Sequence, residues 1–362
     1  MVAEERIRKL QERMAENRID LAAIGPTTNM RYLLGYAPFA DERPCMLLIK
    51  ADETVMIVPG LNAEEAAAHT SIDIIPWKDA DGPQGAFRQL HPKWKSPGLM
   101  AADNAMRADS LLLLMEELEP VRTIPVTGLI APLRLVKSDR EIALLARAAN
   151  QADQAMRDAV EACLPGVPEK DVAWAAETSF RKQGAEEVCF TIVASGPHGA
   201  FPHHHSNERK LQAGDTIIID IGASLDGYKS DISRVVHLGK PAPEVVRVYE
   251  AVKQANLEAA ALVKPGVTTG SIDAAARDYL EQAGLGHAFI HRTGHGIGLD
   301  NHEPPWIMAG DNTVLEKGMA FSIEPGVYLP GKFGVRVEDI VIVTENGVRN
   351  LTGFDHSLVI RS

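Results

Sequence analysis

Apolar residues recur at helical spacing between Glu4 and Asn17, which predicts an amphipathic helix. Short apolar runs follow at 21–24, 45–49 and 54–58, each of a length and uniformity that predicts a buried strand. Helix alternating with strand makes the N-terminal part an α/β unit. From Asp79 to Gly98 the pattern lapses into proline, glycine and charge, which predicts loop over much of that length. Regular spacing resumes beyond Ile130-Ala131-Pro132, where Ser138 or Asp139 caps a long alanine-rich helix. The domain boundary is placed at this point, giving units 1–132 and 133–362.

The second unit repeats itself. Leu164-Pro165-Gly166-Val167 leads into a helix ending near Gln183-Gly184, and Lys264-Pro265-Gly266-Val267 leads into one ending near Gln282-Ala283-Gly284. Each copy continues through a histidine-bearing segment, around His203 and His302, into a β-hairpin. The first hairpin runs over 215–223 and 227–238 about a turn near Leu225-Asp226. The second runs over 319–326 and 335–343 about Pro330-Gly331-Lys332. Two copies predict a duplicated half-domain with one shared site, not a solenoid.

Composition excludes several functions. The chain has 362 residues, 45% of them apolar, enough for two cores. A formal net charge of -12 without a long basic run argues against a nucleic-acid partner. No apolar run approaches the roughly 20 residues that cross a bilayer, and the charged N-terminal helix is unlike a signal peptide, so the expectation is a cytoplasmic protein with no membrane partner. Cys45, Cys163 and Cys189 fit no disulfide framework or metal spacing and are expected as reduced thiols.

The hairpins carry acids where apolar residues belong. Asp220 interrupts Thr216-Ile217-Ile218-Ile219-Asp220-Ile221-Gly222, and Asp231 precedes Ile232. Glu324 follows Phe321-Ser322-Ile323, and Glu338 follows Val335-Arg336-Val337. The expected turns pair Asp220 with Asp231 and Glu324 with Glu338, each pair on one face. Arginines such as Arg234 or Arg336 offer one compensation for these buried charges; two divalent cations, whose +4 balances four carboxylates, offer a better one. Oxygen-rich coordination favours Mn²⁺, with Co²⁺ or Zn²⁺ as alternatives. Two such ions close together activate water for hydrolysis.

His291-Arg292-Thr293-Gly294-His295-Gly296-Ile297-Gly298 supplies the nitrogen ligand. Its glycines resemble part of a phosphate loop, but that device needs a helix directly after them, and Pro304-Pro305 argue against one. The better reading is that glycines on both sides let the backbone carry His295 close to the metals.

Asp220, Asp231, His295, Glu324 and Glu338, with Pro202-His203 and His302-Glu303, resemble the motif set of the pita-bread metallopeptidases: aminopeptidase P, prolidase and, more distantly, methionine aminopeptidase. Residues 29–35 (NMRYLLG) and 134–142 (RLVKSDREI) resemble the N-terminal domain and linker of the two-domain, proline-directed members. The resemblance implies an α+β fold with a pita-bread C-terminal domain preceded by a smaller α/β creatinase/prolidase-type domain. It implies that Asp220 chelates one metal, that Asp231 and Glu338 bridge both, and that His295 and Glu324 bind the second. Glu324 is also implied as the proton shuttle, and His203 and His302 as contacts to the substrate carbonyl. His198, His204, His205 and Tyr228 are left as loop and packing residues, and His291 has no assigned task. A peptide substrate and a homodimer are implied as well.

One position departs from the pattern. Prolidases that cleave dipeptides often have an arginine four residues after the equivalent of His302; here Trp306 stands there. The expectation is therefore an Xaa-Pro aminopeptidase acting on longer peptides. The alternatives are an Xaa-Pro dipeptidase, a creatinase- or ectoine-hydrolase-like enzyme, and a non-catalytic binding module.

Overall fold

A computed structural model describes residues 2–90 and 92–362, and the chain divides into two compact units between Arg134 and Leu135. The first unit alternates helix and strand. Its elements are α1 (Val2–Glu16), β1 (Leu21–Ile24), α2 (Thr28–Leu34), β2 (Met46–Ile49), β3 (Thr54–Pro59), α3 (Gly60–His69), β4 (Asp73–Trp77), α4 (Gln84–Gln89), β5 (Leu99–Ala102), α5 (Ala108–Leu118), β6 (Arg122–Pro125) and α6 (Thr127–Leu135). The strands form one mixed sheet in the order β4-β3-β2-β1-β5-β6. The segment expected as loop contains α4, which forms because Ala86 and Phe87 bury themselves in the core of this unit. Six residues are too few for a helical period to register; His91, in the same segment, lies outside the described residues.

The second unit opens on α7 (Asp139–Ala162), whose start is a reciprocal cap: the Ser138 hydroxyl accepts from the Glu141 N–H, and the Glu141 carboxylate accepts from the Ser138 N–H. The first copy continues with α8 (Glu169–Lys182), β7 (Glu187–Ser195), β8 (Thr216–Leu225), β9 (Tyr228–Lys229) and β10 (Ile232–Leu238). The second copy is α9 (Pro243–Leu262), α10 (Thr269–Gln282), β11 (Gly294–Gly296), β12 (Glu303–Ile307), β13 (Ala320–Ile323), β14 (Gly326–Leu329), β15 (Phe333–Arg336) and β16 (Asp339–Val343). Each copy repeats a small tie ahead of its second helix, with Pro168 bridging Lys210 and Thr268 bridging Val314.

Strand alternation decides where the acids point. Ile217, Ile219 and Ile221 of β8 pack with Ala152, Met156 and Phe180 of α7 and α8. Ile218, one residue out of phase, packs instead with Phe321, Ile323 and Val335 of the second copy. Asp220 shares the phase of Ile218, so it leaves the sheet toward the second copy and not toward its own helices.

The first hairpin corrects one expectation. Asp220 lies opposite Ser233, not Asp231. The turn is Asp226-Gly227, with both residues at positive φ (51° and 84°), one position later than expected. Such an Asp-Gly pair is the two-residue turn that matches strand twist. Moving a turn by one residue moves the register by two, so both acids keep the same face and become diagonal neighbours. The second hairpin keeps one register on either side of its acids, from Ile323 opposite Asp339 to Gly326 opposite Arg336, which sets Glu324 opposite Glu338. Pro325, unable to donate a ladder hydrogen bond, separates β13 from β14 there.

Candidate metal centre

His295 is placed by its neighbours' lack of side chains. A Cβ at Gly294 would collide with the Ser322 carbonyl, and one at Gly296 with the carbonyls of Glu303 and Pro304. The strand β11 is therefore pressed between β12 and β13, and His295 emerges from it buried within the protein. Its N–H donates to the Ser322 hydroxyl at 3.0 Å, and its Nδ1 stands 3.1 Å from the Gly296 carbonyl. A proton on Nδ1 makes that second contact a hydrogen bond, so that Nε2, which faces the acids, donates to Glu324 when protonated and offers its lone pair to a cation when not.

Nε2 is 3.2 Å from Glu324 Oε1 and 3.9 Å from Asp231 Oδ2. One ligand atom each from Asp231, His295 and Glu338 falls within 4.8 Å of the others, and all three residues are buried. Asp220 is held from the side: Arg336 Nη2 donates to its Oδ2 at 2.5 Å, while its Oδ1 is buried without a partner among the described residues. Arg336 also donates from Nε to the Ser233 hydroxyl at 2.8 Å, and that hydroxyl donates to Glu338 Oε2 at 2.9 Å. Its third contact is the Tyr328 hydroxyl at 2.7 Å, which in turn meets His291 Nε2 at 2.9 Å. Arg234, the other arginine that could offer compensation, is spent on Asp339 at 2.8 Å. Of the four hairpin acids, Asp220 alone pairs with an arginine among the described residues.

Charge is thus left over. Burial first, and then repulsion from Glu338, Asp220 and Glu324, pushes the Asp231 carboxyl well above the usual carboxylate range. Burial, then Glu324 and Asp220, does the same to Glu338. Burial also opposes ionisation of Glu324, but its hydrogen bond and charge pairing with His295 outweigh that and hold it down at about 2. An unpartnered carboxylate oxygen, two acids that resist ionising together and an imidazole aimed at them are what a pair of divalent cations relieves. The donor set, four carboxylates and one imidazole, suits such ions.

The two outer histidines lie at the rim. His302 and His203 are both exposed, and the His302 ring centroid is 4.0 Å from that of His295. The residue is exposed as a whole, but its ring packs on buried His295, and this partial burial, then repulsion from His295 and Arg292, lowers His302 to about 4, with His203 close enough to add to that effect. Glu303, beside His302, is engaged elsewhere, with Lys137 at 2.8 Å in a buried ion pair.

Residues that the sequence leaves as loop have defined places. His198 and His204 meet the two oxygens of fully buried Glu169 at 3.0 and 2.8 Å. Those oxygens also accept from the Ser195 N–H and hydroxyl and from the Asn207 N–H. These three residues also bring ligand atoms together, but the carboxylate is already saturated by hydrogen bonds, so the group braces the segment that carries His203. Sequence reasoning misses Glu169 because an acid in the first turn of a helix is ordinary. It also misses the reach of Arg336, although period-two spacing from Glu338 signals a shared face.

Two family models match the chain: metallopeptidase family M24 over residues 143–345, and the creatinase/prolidase N-terminal domain over residues 6–136. Among curated proteins, the probable dipeptidase PepE of Mycobacterium tuberculosis is 39% identical over 343 residues, covering 93% of this chain and 91% of that protein. The Xaa-Pro dipeptidase of Pyrococcus furiosus is 33% identical over 356 residues, covering 98% and 99%. Among solved structures, the recombinant prolidase of Thermococcus sibiricus superposes with a TM-score of 0.95 at 35% identity and covers 100% of both chains.

Proposed function

We propose, from the premise that this chain belongs to metallopeptidase family M24, that it is an Xaa-Pro dipeptidase. The names of the relatives support dipeptides over the longer peptides that Trp306 suggests from sequence. The observation that carries the hydrolytic reading is the surplus of buried carboxylates around His295, which one guanidinium leaves uncompensated.

Asp220, Asp231, His295, Glu324 and Glu338 would hold two divalent ions, with manganese the best match to an oxygen-rich set. When bound there, the ions supply an activated water and polarise the scissile carbonyl. The remaining work falls to side chains. Glu324, ionised and braced by the Ser322 hydroxyl at 3.1 Å, takes a proton from the water and passes it to the departing proline nitrogen. His302, neutral at physiological pH, donates a ring N–H to the carbonyl oxygen as it gains charge, and His203 assists from the rim. Arg336 orients Asp220 and, through Ser233, Glu338.

The test is hydrolysis of Ala-Pro, Ala-Pro-Ala and Ala-Ala after Mn²⁺ reconstitution. Faster cleavage of Ala-Pro than of either alternative is expected; a preference for Ala-Pro-Ala would restore the aminopeptidase reading.

A further inference from the structure

We infer that Arg292, stacked on Trp306, receives the free carboxylate of the dipeptide's C-terminal proline and so sets the substrate's length. This rests on the peptidase reading above and names the residue behind its dipeptide preference.

Position comes first. Trp306 lies directly opposite His295 in the β11–β12 ladder. The Arg292 guanidinium carbon stands 4.4 Å from the centre of the Trp306 ring. Position 306 carries no cation of its own, yet its side chain is a platform for one supplied from three residues before His295. The ring fixes the guanidinium plane and leaves its edge, where the N–H donors are, free for an anion.

The cation is also unclaimed. Arg234, Arg277 and Arg336 each pair with an acid. Arg292 is half-buried and, among the described residues, its side chain pairs with no carboxylate and donates no hydrogen bond. Burial accordingly lowers its pKa, while the charge of Glu324 acts the other way.

Substrate chemistry supplies the match. In an Xaa-Pro dipeptide the carboxylate carbon is separated from the scissile nitrogen by the proline Cα alone. Its anion must therefore rest beside the group that protonates that nitrogen, Glu324, whose N–H donates to the carbonyl of Thr293, the residue next to Arg292, at 2.8 Å. A carboxylate accepts two parallel N–H bonds from a guanidinium fork. A longer peptide presents a neutral amide at that point, which neither pairs the charge nor matches the fork.

The experiment compares alanyl-proline with alanyl-prolinamide, using the full chain reconstituted with Mn²⁺. The wild type is expected to favour the free acid, chiefly through KM. Arg292→Met should lower kcat/KM for the free acid by about 10- to 100-fold and bring the acid-to-amide ratio toward one. Arg292→Lys, which keeps the charge without the fork, should recover part of that ratio. Binding gives a second readout: proline should inhibit the wild type more strongly than prolinamide, and Arg292→Met should erase the difference. If Arg292→Met depresses acid and amide equally, or retains the wild-type preference, the assignment is overturned while the peptidase reading stands. If the wild type cleaves no Xaa-Pro bond, both fall.

Discussion

Arg336 grips Asp220 by one oxygen only, 2.5 Å from Oδ2, and leaves the buried Oδ1 without a partner among the described residues. In a purely structural pair the second oxygen is taken up as well, as in Asp339, where Arg234 meets Oδ1 and His356 meets Oδ2. The half-engaged carboxylate points to a ligand that is aimed by its arginine and completed by a cation.

Arg336→Met should therefore weaken metal binding by roughly 10- to 100-fold, the usual effect of losing an outer-sphere partner. Arg336→Lys should recover little, because one ammonium cannot serve Asp220, Ser233 and Tyr328 together. Metal titration followed by calorimetry measures both; unchanged affinity in the Met variant would contradict the aiming role.

Asp231→Asn should raise the stability of the metal-free chain by about 1–2 kcal/mol, since it removes one of several mutually repelling buried charges. The same change should reduce activity by more than the roughly 100-fold expected for an outer partner. Chemical denaturation after chelation, paired with an activity assay, separates the two effects. A less stable metal-free variant would show that Asp231 is compensated by protein alone.

The elevated carboxyls of Asp231 and Glu338 also predict a pH dependence. A carboxyl whose pKa is raised by folding binds more protons folded than unfolded, so it destabilises the metal-free protein as pH climbs above the ordinary carboxylate range. Metal binding replaces those protons, so the stability gained from metal should grow with pH. The difference in thermal midpoint between Mn²⁺-loaded and chelated protein should widen from about pH 5.5 to 8. A constant or narrowing gap would mean that these two acids ionise normally without metal.

Glu169→Gln should loosen the brace on the His203 segment. Its amide keeps one acceptor oxygen but sets an NH2 donor either against Ser195 and His198 or against His204 and Asn207, and should cost about 1–3 kcal/mol of stability. Catalytic efficiency should fall while metal content stays at the wild-type level. Loss of bound metal would instead place Glu169 in the metal centre itself.

How far the sequence discloses this site varies from residue to residue. Glu324 and Glu338 can be paired from sequence because the Pro330-Gly331-Lys332 turn and strand alternation determine their register. Asp220 and Asp231 fall on the correct face but two residues out of register, because Asp226-Gly227 forms the tighter turn. Helix α4 leaves no signal in the sequence since its burial depends on contacts distant along the chain. The stack of Arg292 on Trp306 is hidden for the same reason: it joins two segments through side chains whose spacing carries no period. Local rules locate ligands on elements, whereas the partners that aim those ligands come from packing.

Titration of chelated protein with Mn²⁺ while Ala-Pro hydrolysis is followed tests the proposed two-metal Xaa-Pro dipeptidase activity most directly. Activity should be absent at the start and should rise to a plateau near two equivalents per chain. Full hydrolysis by the chelated protein, or none at any metal concentration, would contradict the account.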